Sequence, residues 1–394
     1  MEDEISYLVG KKIENFLPLP PYSDEVCNFL SDFSSAIMKD NRYRQFPDVA
    51  TVAFFARTGN IQRLRKNFID NRFRLGKGLA FHITPSNIPV QFIFSYFFGI
   101  LAGNANIVRV PSKNFPQIDF LCEILNKILS QSEHKKISEM TAFVRYDRNS
   151  TFTEIFSSQC QLRLIWGGDS TVQNIRKIIL PPKSIDIVFP DRYSLAILNE
   201  GAVESLNDTE LEKLAQDFFN DTYLVDQNAC SSPHLILWKS SSKFLGREKF
   251  WSAVHNIAMK KYSFSQIKAT SKYTTFCQNA LNFPQTKEIL HNDNFLYRTK
   301  LDSIFEGIEN LRGIFGLFYE YNLKSLADLK NIVSEKFQTL TYFGFEPKEL
   351  AQLVQKNGWL GIDRIVPIGR ALDMNVIWDG YDLINQMSRI IFFE

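Results

Sequence analysis

From Gly76 onward the chain repeats one pattern, a short run that is apolar throughout followed by a helical stretch. The runs are GLAFHIT, ANIVRVP, TAFVRY, LRLIWGG and SIDIVFP, with helices expected over residues 89–101, through 120–129 and from about Ser170. A strand that is apolar at every position has both faces buried, and this calls for a parallel sheet covered by helices on both sides. The fold class that follows is α/β with a parallel sheet, whose ligands usually bind at the carboxyl ends of the strands. A second block contains a helix near residues 204–219, the strand HLILW, a helical stretch around 248–258, the run GIFGLFYEY, a helix at 325–336 and the run TLTYFGF. Residues 1 to about 75 read as mainly helical. No repeat, low-complexity stretch or flexible linker separates the blocks, so two closely packed domains are expected.

Charge and cysteine content narrow the function. The 394 residues carry a net charge of +2 with both signs interspersed, which leaves no footprint for nucleic acid and points to a small molecule or a protein as partner. The five cysteines are an odd number, widely spaced, without a CxxC pair or a zinc-like histidine pattern. A reducing cytoplasm and no metal are therefore expected. The acidic start MEDEISYLVG is unlike a secretory signal, and the longest apolar run, residues 88–102, is interrupted by Pro89, Gln91, Ser95 and Gly99 and is too short to span a membrane.

Four stretches carry candidate chemistry. In DQNACSSPH, Cys230 sits among small residues just before an apolar strand; it is either an inert core cysteine or a nucleophile whose sulfur a carbonyl could reach while the strand holds the turn rigid. His234, which opens that strand, is either a proton relay or structural. In ITPSNIPVQF, Asn87 stands at the mouth of the apolar helix, where it either caps the helix or donates to a developing oxyanion. In GNANIVRVPSK, Arg109, Ser112 and Lys113 stand where a strand ends; they are either exposed basic residues of a loop or, as two cations near a serine without a carboxylate, a site for a 2′-phosphate and hence for NADPH over NADH. In LIWGGDSTVQNIR, Gly167 and Gly168 end a strand and Asp169 or Ser170 caps the next helix, which is either a plain turn or one that lets backbone approach a cofactor. A basic run, Arg57 to Lys77, reads either as a solvated helix face or as a dock for the phosphates of coenzyme A, a nucleotide or an acidic protein.

Taken in order, HITPSNIPV, LAGNANIVRVPS, WGGDSTV, DQNACSSPH and GIDRIVPIGRALDMNVIWDGYDLI resemble the acyl-CoA reductase (LuxC-like, fatty-acid reductase) family, a branch of the aldehyde dehydrogenase superfamily. The resemblance implies an aldehyde-dehydrogenase-like fold, a Rossmann-type cofactor domain packed against a second α/β catalytic domain with the active site between them. The expected boundaries are residues 1–200 for nicotinamide binding with an N-terminal helical region, 201–340 for the catalytic domain and 341–394 for a segment completing the cleft. It implies Cys230 as the acylated thiol, Asn87 with the Cys230 N–H as oxyanion donors, Arg109 and Ser112 at the adenosine ribose, and Gly167, Gly168 and Asp169 beside the cofactor. Acyl-CoA, or an acylated carrier or synthetase protein, would be the donor, and a homo-oligomer is expected.

Two departures matter. Where hydrolytic aldehyde dehydrogenases carry a glutamate in an ELGGK-type segment, DIVFPDRYS places Val188; a thioester reductase does not need that base. The glutamate that usually anchors the nicotinamide ribose has no equivalent near Arg312 to Phe315. The rival readings are an oxidative aldehyde dehydrogenase, which would need Asp186 or Asp191 as base, and an acyl-carrying protein that works only with a partner and without a cofactor.

Overall fold

The computed structural model describes residues 4–68, 70, 72–239 and 245–394. The chain forms two units, Met1–Pro190 with Met374–Glu394, and Asp191–Asp373.

The first unit contains β1 (Ile5–Gly10), β2 (Phe73–Gly76), β3 (Leu79–Ile83), β4 (Ala105–Arg109), β5 (Thr141–Tyr146), β6 (Leu162–Trp166) and β7 (Ile185–Phe189). Its main sheet has the order β1-β5-β4-β3-β6-β7. Strands β3 to β7 pair in parallel, as their uniformly apolar sequences require, and β1 runs antiparallel to β5. The expected helical N-terminus is found in Asp24–Lys39, Pro47–Ala56 and Thr58–Asn67, but Ile5–Gly10 is a strand. Its sequence, ISYLVG, is rich in β-formers, and it covers the edge that β5 would otherwise leave open. The helix Gln91–Leu101 buries all eleven of its residues, which explains its apolar sequence all round.

The second unit contains β8 (Tyr193–Asn199), β9 (Pro233–Lys239), β10 (Thr286–Asn292), β11 (Leu296–Leu301), β12 (Leu317–Leu323), β13 (Phe337–Phe343) and β14 (Arg364–Pro367), in the order β10-β11-β12-β9-β8-β13-β14. Among the described residues, β10 and β11 pair antiparallel and the other neighbours pair in parallel. Alternation along these strands splits the core in two: Ala196, Leu198, Ile236, Trp238 and Phe318 pack on one face, and Leu195, Ile197, Leu235, Leu237 and Tyr319 on the other. The helix expected at 325–336 is reduced to a 3-10 turn, Leu326–Asn331. Ser325 and Asp328 cap each other's backbone there, and the β-branched Ile332 and Val333 follow as the chain turns into β13.

The chain then returns to the first unit with β15 (Ile377–Trp378), β16 (Tyr381–Asp382) and β17 (Ser388–Ile391). Strand β17 pairs antiparallel with β2. Within the basic run Arg74 is structural, nearly buried and bound to Asp70 at 2.9 Å, Ser388 Oγ at 2.9 Å and the Asn385 carbonyl at 2.7 Å, while Arg72 binds Asp70 and Arg65 binds Asp24 at the surface. Among the described residues no helix is long and apolar enough to cross a membrane.

Candidate active site

The strand order places three of the four stretches along one edge of the first sheet. The chain runs from β3 outward to β4 and β5, then crosses back to set β6 on the other side of β3. The loops after β3 and β6 therefore leave the sheet in opposite directions at the switch point, the ligand position of open α/β sheets. Asn87 lies in the loop after β3, Gly167, Gly168 and Asp169 follow β6, and Arg109 ends β4 with Ser112 and Lys113 just beyond.

Local geometry corrects two capping assignments. The apolar helix starts at Gln91 with Val90 in the cap position and no side-chain cap bond, so Asn87 is not its cap and Pro89 lies outside it. Asn87 is exposed. The helix after β6, Asp169–Arg176, has Gly168 in the cap position, so neither Asp169 nor Ser170 caps it, and Asp169 lies in its first turn. A Cβ at Gly168 would meet no atom within 4 Å, so that backbone is open to a ligand. Arg109 lies with its guanidinium 4.6 Å from the centre of the Tyr146 ring, while Ser112 and Lys113 are exposed.

Beneath this edge runs a buried hydrogen-bond chain. Trp166, the last residue of β6, donates through Nε1 to Ser95 Oγ at 2.9 Å; Ser95 lies 2.7 Å from His82 Nδ1, and His82 Nε2 lies 3.0 Å from Asn106 Oδ1. The carbonyl oxygen of Asn106 assigns the His82 proton to Nε2, and Ser95 then donates to Nδ1. Burial pushes His82 down to about 4, so the ring is neutral. The chain ties β3, β4, β6 and the helix Gln91–Leu101 together directly under the Gly167–Gly168 turn, and Trp166 also stacks on Phe189 with ring centres 3.6 Å apart.

Cys230 belongs to the second unit, in the turn that enters β9 at the amino end of its parallel strands. The thiol is half-buried. Its turn is held from several sides. Ser194 Oγ donates to the Cys230 carbonyl at 2.6 Å and accepts from the Thr339 N–H at 3.1 Å. Ser232 Oγ donates to the Asp221 carbonyl at 2.7 Å. Gln227 is buried in a left-handed conformation, φ 59°, and its amide spans two backbone groups, accepting from Gly316 N–H at 2.7 Å and donating to the Leu317 carbonyl at 3.1 Å. Strained backbone of this kind persists where its surroundings over-determine it. Asp221, nine residues before Cys230, accepts from the N–H groups of Gly369 at 2.6 Å and Ala371 at 2.8 Å, and burial pushes its carboxyl up to about 7. The segment VPIGRALD is thereby fastened to the helix that leads into the cysteine turn.

The remaining candidates have structural partners. His234 Nδ1 donates to the Gly313 carbonyl at 3.0 Å, its ring stacks on Tyr193, and burial lowers it to about 3, so the ring is neutral and these partners account for it as a structural residue. Asp186 holds both its oxygens against Arg163, at 2.7 and 2.9 Å. Asp191 pairs with Arg312 at 2.9 Å, and Arg312 also donates to the Arg192 carbonyl. Val188 is a strand residue of β7. The supporting side chains Ser194, Gln227 and Asp221 were not anticipated: each is polar and buried or nearly so, and no sequence spacing links it to its distant partner.

Two α/β units with these sheets define an aldehyde-dehydrogenase-like fold. A mutant of the 1-pyrroline-5-carboxylate dehydrogenase of Thermus thermophilus superposes with a TM-score of 0.63 at 12% identity, covering 95% of this chain and 81% of that one. Lactaldehyde dehydrogenase gives 0.63 at 12% identity, over 95% and 87% of the two chains. Aldehyde dehydrogenase 21 of Physcomitrella patens gives 0.64 at 11% identity, over 95% and 86%. The chain belongs to the acyl-CoA reductase (LuxC) family, which it matches over residues 60–390. It is also similar to the long-chain acyl-protein thioester reductase of Vibrio harveyi, 22% identical over an aligned stretch of 342 residues, with 80% of this chain covered. The matched stretch spans 64% of that relative's length.

Proposed function

We propose that this protein reduces an acyl thioester to a free aldehyde with NADPH, and that Cys230 carries the acyl group between the two half-reactions. The Cys230 thiolate attacks the thioester carbonyl; the bond from that carbon to the donor sulfur breaks, and coenzyme A, or the thiol of a carrier or synthetase protein, departs with a proton. The Asn87 amide and the Cys230 N–H donate to the oxyanion. A reduced nicotinamide, when bound, supplies the hydride that turns the acyl group into an aldehyde and frees the thiol. The first unit suits a dinucleotide: Gly168 is open, the N-terminus of the helix Asp169–Arg176 has no side-chain cap, and Arg109, Ser112 and Lys113 follow β4. Their two cations favour NADPH, with NADH as the weaker donor. A cytoplasmic homo-oligomer is part of this reading.

The observation that carries the reductive direction is the state of the two carboxylates that could have activated water. Asp186 is held by Arg163 and Asp191 by Arg312, with Val188 at the matched position, so neither of these two carboxylates is poised to activate water against an acyl-enzyme. The test is an assay of purified protein with acyl-CoAs of several chain lengths, following loss of NADPH or NADH beside Cys230→Ala. Aldehyde formation that disappears in the variant is expected. An active Cys230→Ala protein overturns the role of the thiol; no turnover with any free acyl-CoA overturns the free-standing reductase and leaves a protein-borne acyl donor.

A further inference from the structure

The cysteine turn is entered through two consecutive non-glycine residues in the left-handed region, Asp226 at φ 54° and Gln227 at φ 59°. Such residues are held there by their surroundings, and their side chains usually do the holding. Gln227 is fixed by the backbone of Gly316 and Leu317. Asp226 reaches elsewhere: its Oδ1 accepts from the Tyr262 hydroxyl in a short hydrogen bond and from Lys268 Nζ at 2.8 Å. Lys268 sits in the first turn of the helix Gln266–Asn282, and its ammonium also donates to the Ser263 carbonyl at 3.1 Å. The same ammonium stands 4.5 Å from the centre of the Tyr262 ring and 5.7 Å from that of Phe315, another left-handed residue, φ 54°. One cation therefore touches both backbone segments that Gln227 joins, the entry to the cysteine turn and the loop ending in Gly316.

We infer that the Lys268–Asp226 pair is a latch that positions Cys230, setting the entry angle of its turn through a charge outside the turn itself. This inference rests on Cys230 as the acylated thiol. Both side chains of the pair are partly solvent-exposed, and pairs of that kind contribute little to stability. Here the pair bears on a strained residue four positions before the thiol. Its loss should thus appear in geometry-dependent rates before it appears in unfolding.

The test compares Asp226→Asn, Lys268→Met, the double variant, Lys268→Arg and Cys230→Ala. Three quantities are read: kcat and KM with acyl-CoA, the rate of Cys230 carboxamidomethylation by iodoacetamide followed on the Cys230 peptide by mass spectrometry, and Tm. The latch predicts that kcat falls about tenfold in each single variant with KM within about twofold. The half-buried thiol, loosened, is alkylated faster, and Tm moves by no more than about 2 °C. The double variant is no worse than either single one, and Lys268→Arg keeps most of the rate, because its guanidinium retains both the charge and the ring contact. Unchanged kcat and alkylation in the single variants, with Cys230→Ala inactive, overturns the latch. So does a loss of rate that tracks a large fall in Tm, or effects that multiply in the double variant. If Cys230→Ala stays active, the acyl-thiol reading fails, and the alkylation rate alone decides whether the latch holds the turn.

Discussion

The hydroxyl of Ser194, near the start of β8, donates to the carbonyl of Cys230 over 2.6 Å and is itself fixed by the Thr339 N–H. One side chain thus joins three segments that are far apart in sequence. Ser194→Ala leaves a buried N–H and a carbonyl without their partner, which costs on the order of 1–3 kcal/mol. A Tm lowered by several degrees and kcat reduced about tenfold with little change in KM are expected, measured by calorimetry and by NADPH consumption. An unaltered kcat would show that the Cys230 carbonyl does not set the position of the thiol.

Two buried neutral histidines make the protein acid-sensitive. His82 in the first unit is lowered from 6.5 to about 4 and His234 in the second from 6.5 to about 3, each mainly by burial. A folded-state value below the unfolded one means that the stability is present above the unfolded value and is lost as pH falls toward the folded one. Each histidine should remove about 1.4 kcal/mol per pH unit below about pH 6.5. Urea midpoints recorded from about pH 7 down to about pH 4.5 check this, with His82→Gln expected to flatten the slope of the first unit alone.

Asp221 acts in the opposite sense. Its carboxyl is raised from 3.8 to about 7 by burial, so the stability it contributes is full below its unfolded value and is lost as pH rises through about 7. Asp221→Asn also sets an amide N–H against one of the two backbone N–H groups that the carboxyl now accepts from. The difference in urea midpoint between wild type and Asp221→Asn should shrink as pH rises from about 4 to about 7. A difference independent of pH would remove Asp221 from the titrating groups.

Lys113 reads the cofactor phosphate if the edge beyond β4 holds the adenosine ribose. Lys113→Ala is expected to weaken NADPH binding about tenfold and NADH binding less than about twofold, by fluorescence titration of the purified protein. Equal losses for both would assign the lysine to general attraction rather than to the 2′-phosphate.

The parallel sheet of the first unit was legible because β3 to β6 are apolar at nearly every position, and that pattern has few other solutions. Strand β8 was less visible, since only three residues separate it from β7. The helix Gln266–Asn282 gave no apolar stripe to read: its one fully buried residue is Lys272, whose amine lies 4.4 Å from the centre of the Tyr297 ring and 4.9 Å from that of Phe264. A helix whose one fully buried side chain is a lysine carries no hydrophobic period. In the same way the cysteine turn announced itself through its small residues, whereas Ser194 and Thr339 meet it from distant parts of the chain.

The first unit is completed last. Its strand β2 pairs with β17, and the Met387 carbonyl accepts from Asn104 Nδ2 at 3.0 Å, so residues roughly 280 to 320 positions apart close one layer. On a ribosome the whole of the second unit is made before that closure can occur. For the duration of that synthesis the amino-terminal half waits as an open layer, and a ribosome that stalls anywhere in the second unit leaves β2 without its partner.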